Sequence, residues 1–223
     1  MAATRAMLLH AGGVRSLVAA AVVTREQDAS RVVGLCLDDG REDAAARRAA
    51  AELSAEALGI KRVESLALTG IGEAASDRDA SGPGEVELWA ARALPAALAL
   101  ARRHHCDRLI WPASAGASGD ARRALLIAER AELVMALADL EAESMPRIDA
   151  PLGELSDAQV VALGERLGVD WRLARSCTSP TVGLGRPGCE ACAGCERRAR
   201  AFAAAAVVDP LTNAGPTRRS NAA

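Results

Sequence analysis

Ala6-Met7-Leu8-Leu9-His10-Ala11-Gly12-Gly13-Val14-Arg15-Ser16 is the stretch on which the fold turns. An apolar run, Ala6 to His10, passes directly into a double glycine, and a helical pattern follows at once to about Thr24. A continuous apolar run, rather than an alternating one, is how a strand buried on both faces reads. The same order recurs along the chain. Val32 to Leu37 is apolar and ends at Asp38-Asp39-Gly40; a helix from Arg41 to about Leu58 follows, stopped by Gly59. Val63 to Leu68 leads into the polar segment Thr69 to Glu85, whose Ser81-Gly82-Pro83-Gly84 marks a long loop, and then into a helix over about Val86 to His104. Arg108 to Trp111 opens onto a small-residue stretch, Pro112 to Gly119, before a helix from Asp120, a suitable N-cap, to about Glu141. Arg147 to Asp149 reads as a short strand, and Ser156-Asp157 caps a helix ending near Gly168. Five strands alternating with helices predict an α/β fold: a doubly wound, parallel five-stranded sheet covered on both faces and joined by right-handed crossovers.

Past Trp171 the pattern breaks into a segment rich in Cys, Gly and Pro, followed by a short helix from Cys195 to about Ala206. The expected organisation is an α/β domain over 1–170, a cysteine-bearing segment with its helix over 171–206, and a disordered tail over 207–223.

The 223 residues suit one domain with an appendage, a size that buries roughly 70% of its unfolded surface. Alanine makes up close to a quarter of the chain, and Lys61 is the single lysine, a bias that raises helix propensity throughout. The 27 basic and 29 acidic residues leave a net charge of -2, which argues against a nucleic-acid partner. Aromatics are 2% of the chain, with three Trp, one Phe and no Tyr, which argues against a platform for stacking bases. No apolar run approaches the ~20 residues that span a bilayer, and Met1 to Met7 lacks a signal-peptide core. A cytoplasmic protein is expected.

Six cysteines in such a chain point to metal or catalysis before disulfides. Cys189, Cys192 and Cys195 stand at x2 spacing, twelve residues after Cys177, among Gly183, Gly185, Gly188 and Gly194 that let the backbone wrap closely. Four thiolates satisfy the tetrahedral preference of structural zinc. An iron–sulfur cluster and unliganded redox thiols are the alternatives; the former is weakened because no further Cys follows Cys195 at ferredoxin spacing. Cys36 and Cys106 read as small buried hydrophobes.

The loop Ala11-Gly12-Gly13-Val14-Arg15-Ser16 turns backbone N–H groups and a helix N-terminus toward one point, a geometry suited to an anion; a tight turn with no ligand is the alternative. His104-His105 reads as a solvated helix end. Trp111 suits either core packing or stacking on a heterocycle at the ligand edge of the sheet. Leu125, Leu126, Ala128, Leu133 and Leu137 form a helix face expected in the core. Arg197, Arg198 and Arg200 read as a basic face left in water, with contact to a carboxylate substrate or a partner as the other option.

Taken together, loop and tail carry a resemblance. Ala11-Gly12-Gly13-Val14-Arg15-Ser16 resembles the S-G-G-x-D-S pyrophosphate loop of the N-type ATP pyrophosphatases. Ser176-Cys177 through Cys189-x2-Cys192-x2-Cys195 and on to Phe202 is similar to the zinc tail of one branch, the 7-cyano-7-deazaguanine synthases. Asp38-Asp39-Gly40-Arg41 resembles the family's D-Y-G-Q, Asp120-x-Arg122 its substrate-loop D-x-R, and Pro151-Leu152 its T-P-L. The resemblance implies a sheet of the adenine-nucleotide-α-hydrolase-like (HUP) type. It implies ATP bound by Ala11, Gly12, Gly13, Val14, Arg15, Ser16 and Asp38, substrate bound by Asp120 and Arg122, and structural zinc on Cys177, Cys189, Cys192 and Cys195. ATP with Mg2+ would activate the carboxylate of 7-carboxy-7-deazaguanine, ammonia would attack, and a second activation would dehydrate the amide to a nitrile in deazapurine (queuosine) biosynthesis. ATP and a small molecule are then the partners, with neither nucleic acid nor membrane, and pairing in the family leaves a homodimer open.

The sequence departs from the family pattern where the chemistry would sit. Ala11 stands for the loop Ser, and Arg15 for the Asp that supports magnesium–pyrophosphate. Pro83-Gly84-Glu85-Val86 replaces P-G-R-N, and Asp157 takes the place of a Lys expected after T-P-L. Ile110 to Gly119 lacks a T-G-x-x pattern. A catalytically inactive relative, kept for binding or scaffolding, is the alternative these changes raise.

Overall fold

The computed structural model describes residues 4–68, 85–116, 121–138 and 145–212, and of 85–88, 121–125 and 138 the backbone alone. The strands are β1 (Ala6–Leu9), β2 (Val32–Asp38), β3 (Val63–Ala67), β4 (Arg108–Ile110) and β5 (Arg147–Asp149). The helices are α1 (Val14–Glu26), α2 (Ala44–Ala57), α3 (Glu85–Arg103), α4 (Ala121–Ala138), α5 (Asp157–Arg166) and α6 (Ala193–Ala204). The strands form one all-parallel sheet in the order β3-β2-β1-β4-β5. Met7 pairs in register with Val33 on one side and Leu109 on the other.

The reason β1 lacks alternation is now visible. Met7 and Leu9 enter one core with Leu35, Leu94, Leu98 and Leu109, whereas Ala6 and Leu8 enter a second with Val18, Ile110, Val160 and Phe202. Helices α3 and α4 cover the first face; α1, α5 and α6 serve the second. Cys36 and Cys106 are buried as expected, and burial pushes the Cys36 thiol up to about 11, so it stays protonated. Trp111 is core, packed with Leu109 and Ala128.

Strand order decides where a ligand can sit. The chain runs outward from β1 through β2 to β3, then returns to lay β4 on the other side of β1. The loops leaving β1 and β4 therefore diverge, and a crevice opens at the carboxyl ends of these two central strands.

Three sequence expectations are corrected. Leu126, Leu133 and Leu137 are exposed, Leu137 by 64%, although Ala128 on the same helix is buried. Helical spacing identifies one apolar face of α4, but only part of it meets α3. Arg198 is not left in water. It is buried, with Nε and Nη2 donating to Asp209 at 2.6 and 2.9 Å, Nη1 to the Ala174 carbonyl at 2.6 Å and Nη2 also to the Trp171 carbonyl at 3.0 Å. Its guanidinium also lies 5.0 Å from the Phe202 ring centre. Because Asp209 must reach this pair, the chain continues in place beyond α6 through residue 212, past the expected start of the tail at 207. The segment 69–84 and Asp120 lie outside the described residues.

Candidate functional site

Gly12 carries a left-handed φ of +68°, and a Cβ there would stand 2.5 Å from Ala50 Cβ and 2.8 Å from the Ala51 amide. The glycine is required both by its backbone and by the close approach of α2. Gly13 is the N-cap of α1 and supplies no side-chain cap, so the first-turn N–H groups face the crevice rather than a capping oxygen. Ser16 is buried and its hydroxyl donates to the Gly13 carbonyl at 3.0 Å. It braces the loop from within.

A cavity of about 310 Å³ opens in front of this loop. Ala11, Gly13, Val14, Arg15 and Ser16 line it, together with Cys177, Thr178 and Gly194 from the tail. Gly12 stands behind it. Asp38 is not on its wall; its carboxylate accepts the Gly40 N–H at 3.0 Å and shapes the turn after β2. Arg122 is on α4, and its side chain is outside the described set.

Charge on the wall is lopsided. Arg15, Arg41, Arg47, Arg175, Arg197 and Arg198 line it against two aspartates, Asp43 and Asp157. Asp157 opens α5, where Ser156 and Gln159 form a capping box and the helix dipole favours an acidic residue. Arg15 donates to its Oδ1 from Nε at 2.9 Å and Nη2 at 2.7 Å, and Ser114 Oγ donates to the same oxygen at 3.1 Å. Asp43 is flanked by Arg47 at 3.4 Å and Arg41 at 3.8 Å, and Arg47 also pairs with Asp39.

Arg175 escaped the sequence reading. Its main-chain N–H donates to the Gly12 carbonyl at 2.7 Å, seating the tail on the glycine loop. Its side chain is 7% exposed and donates to the Val182 and Ser179 carbonyls. No carboxylate among the described residues meets it, and its Nε is buried without a partner. The signal in the sequence is faint: one arginine directly before Ser176-Cys177. Arg197 belongs to the same wall; desolvation first, then the neighbouring Arg15, lowers it from its ordinary value. Burial also lowers His10, at the end of β1, to about 4, and its Nε2 lies 2.8 Å from Ser54 Oγ on α2.

The four tail cysteines converge. Their sulfurs lie within 4.8 Å of one another, against roughly 3.8 Å for thiolates around a tetrahedral ion with 2.3 Å bonds. Close wrapping is enforced by glycine: a Cβ on Gly188 would stand 2.3 Å from Cys195 Sγ, and one on Gly194 2.0 Å from the Ser176 carbonyl. The Ser179 and Cys189 amides donate to Cys177 Sγ at 3.4 Å, and the Cys195 amide to Cys192 Sγ at 3.4 Å. Burial opposes ionisation of Cys192, but the Thr178 and Cys195 N–H groups outweigh it and lower the thiol to about 6. Burial first, then the neighbouring Cys192, pushes Cys195 up to about 12, so the pair shares a proton until a metal takes its place. Four convergent sulfurs are consistent with zinc. Of the four, Cys177 lines the cavity, and Cys192 is the N-cap of α6.

The sheet resembles that of the U34-tRNA thiolase NcsA from Methanococcus maripaludis, solved with its [4Fe-4S] cluster: TM-score 0.51, 18% identity, covering 82% of this chain and 61% of that one. That likeness is one of fold. In sequence, the chain is 42% identical over 92 residues to the 7-cyano-7-deazaguanine synthase of Anaeromyxobacter dehalogenans, covering 41% of this chain and 38% of the relative. It is 39% identical over 83 residues to that of Syntrophotalea carbinolica, covering 37% and 35%. The chain thus matches little more than a third of the length of these relatives. The model of the queuosine biosynthesis protein QueC family matches residues 93–206, from α3 through the cysteine tail. Since that match takes in more than half of its residues, the chain belongs to the QueC family.

Proposed function

We propose that the chain is an ATP-using synthase that converts 7-carboxy-7-deazaguanine and ammonia to the nitrile. The observation that carries this reading is the shared cavity: the glycine loop after β1 and residues 175–178 of the tail, far apart in sequence, both line it. A carboxylate is a poor electrophile, so the reaction needs activation. The substrate carboxylate oxygen attacks the α-phosphorus of ATP and pyrophosphate leaves. Ammonia attacks the acyl carbon and AMP leaves, giving the amide. A second ATP activates the amide oxygen, and its loss with two N–H protons gives the nitrile. The protein's share is positioning and charge stabilisation. Gly13 and the α1 N-terminus orient phosphate oxygens, and the arginines of the wall balance their charge. Cys177, Cys189, Cys192 and Cys195 would hold zinc, which supplies a cross-link within the tail and, being fully ligated by thiolates, no open position.

Magnesium is a poorer fit. It requires oxygen ligands, and both carboxylates on the described wall are already flanked by arginine.

The Arg15–Asp157 pair favours a second reading, a relative that binds ligand without turnover. On either reading the partners are small molecules and the setting cytoplasmic, and the exposed leucines of α4 support pairing with a second copy. The test is to incubate zinc-loaded protein with ATP, magnesium, ammonia and 7-carboxy-7-deazaguanine and to quantify AMP and deazapurine products by mass spectrometry. The synthase reading expects AMP with amide or nitrile. Absence of AMP supports the second reading. A variant carrying Ala11→Ser, Arg15→Asp and Asp157→Lys runs beside it; all three changes are needed because Arg15 and Asp157 face each other.

A further inference from the structure

We propose that the glycine-loop cavity takes a phosphate ligand as the free oxyanion, held by Arg175, Arg197 and Arg15, without a divalent cation. The inference rests on reading the cavity as a nucleotide-phosphate site.

The first support is Arg175. A guanidinium buried without a counter-charge is costly, and buried charges are ordinarily paired. Arg175 is buried, donates only to carbonyls, leaves Nε unpartnered, and stands between the glycine-loop cavity and a second cavity that Val182 also lines. Its missing anion is supplied by a ligand. Guanidinium matches phosphate oxygens in geometry as well as charge.

The second support is the pairing of charges across the crevice. Arg15 stands in the first turn of α1, after the glycine loop, and Asp157 opens α5. The two meet as a pair 142 residues apart in sequence. The pair ties the glycine loop to α5. Asp157 is thereby committed to Arg15 and Ser114, and Asp43 to Arg41 and Arg47. A divalent cation entering among six arginines would have to displace one from its carboxylate. A bare phosphate meets cations already in place: Arg197 has no carboxylate partner among the described residues, and Arg15 keeps Nη1 outside its pair.

The test is calorimetric titration of the zinc-loaded full chain with inorganic pyrophosphate, in buffer stripped of free divalent ions and again with magnesium in excess over pyrophosphate. Saturable binding is expected without magnesium, weakened at least threefold when magnesium masks the anion. Arg197→Gln, on the exposed side of α6, is expected to weaken binding tenfold or more with zinc content unchanged. In the double variant Arg15→Asp/Asp157→Lys the order should reverse, magnesium strengthening binding. No saturable binding up to millimolar pyrophosphate without magnesium, tighter binding with it in the native chain, or an Arg197→Gln variant that binds like the native chain would each overturn the proposal. Failure of the synthase reading looks different. Pyrophosphate binding without AMP production refutes the synthase and leaves this inference standing. AMP production together with magnesium-strengthened binding does the reverse.

Discussion

His10 shows how much one residue's surroundings change its chemistry. It ends β1, is buried, and touches Ser54 Oγ, whose own proton goes to the Ala50 carbonyl at 2.6 Å. Ser54 therefore accepts from His10 Nε2–H, and the imidazole is neutral. Burial lowers its pKa from 6.5 to about 4. Between these values the unfolded chain binds a proton that the folded chain refuses, so stability falls with decreasing pH by up to ~1.4 kcal/mol per unit. Above pH 6.5 the effect vanishes; below about 4 it is complete. Urea unfolding should show a loss of ~2 kcal/mol from His10 between pH 7 and pH 5, and His10→Asn should flatten that part of the profile. An unchanged slope in the variant would locate the titration elsewhere. The histidine was legible in the sequence only as a loop neighbour, because its titration depends on α2 being packed over it.

At the scale of elements, α6 is held by more than its apolar contacts. Phe202 packs edge-on to Trp171 at 5.1 Å, and Arg198 ties the helix both to the Trp171–Leu173 turn and to the segment beyond α6 through Asp209. Removing one partner of a buried pair leaves an uncompensated charge and typically costs ~3–5 kcal/mol. A chain shortened after Ala206 should lose about that much in urea unfolding, and Arg198→Met in the same shortened chain should recover most of it. If the shortened chain unfolds like the full one, residues 207–212 contribute nothing. The cysteine segment was legible from its x2 spacings, since metal ligands must be brought close by short loops. The burial of Arg198 was not, because three arginines in four residues look alike until a neighbouring acid singles one out.

For the whole molecule, the thiol cluster closes the tail on itself, and the Arg175 amide on Gly12 seats it against the glycine loop. Metal binding and stability should therefore move together. Purified protein should hold one zinc per chain by elemental analysis. Cys192→Ser should lose it and melt at least ~10 °C lower, as expected when several kcal/mol are lost from a chain of this length. Full zinc occupancy with an unchanged melting point in that variant would separate the cluster from the fold.

What the sequence by itself determined are features written in local pattern. Continuous apolar runs between amphipathic segments specify strands buried on both faces, hence a parallel sheet with helices on either side, and closely spaced cysteines among glycines specify a four-thiolate site. Only the tertiary structure decided which distant residues face one another at the crevice between β1 and β4. It paired Arg15 with Asp157, laid Arg175 on Gly12, drew Arg198 inside, and left Leu126, Leu133 and Leu137 of α4 exposed. The reason is physical: helix and strand periodicity record how a residue is oriented on its own element, whereas charge compensation and cover depend on what another part of the chain brings to the same place.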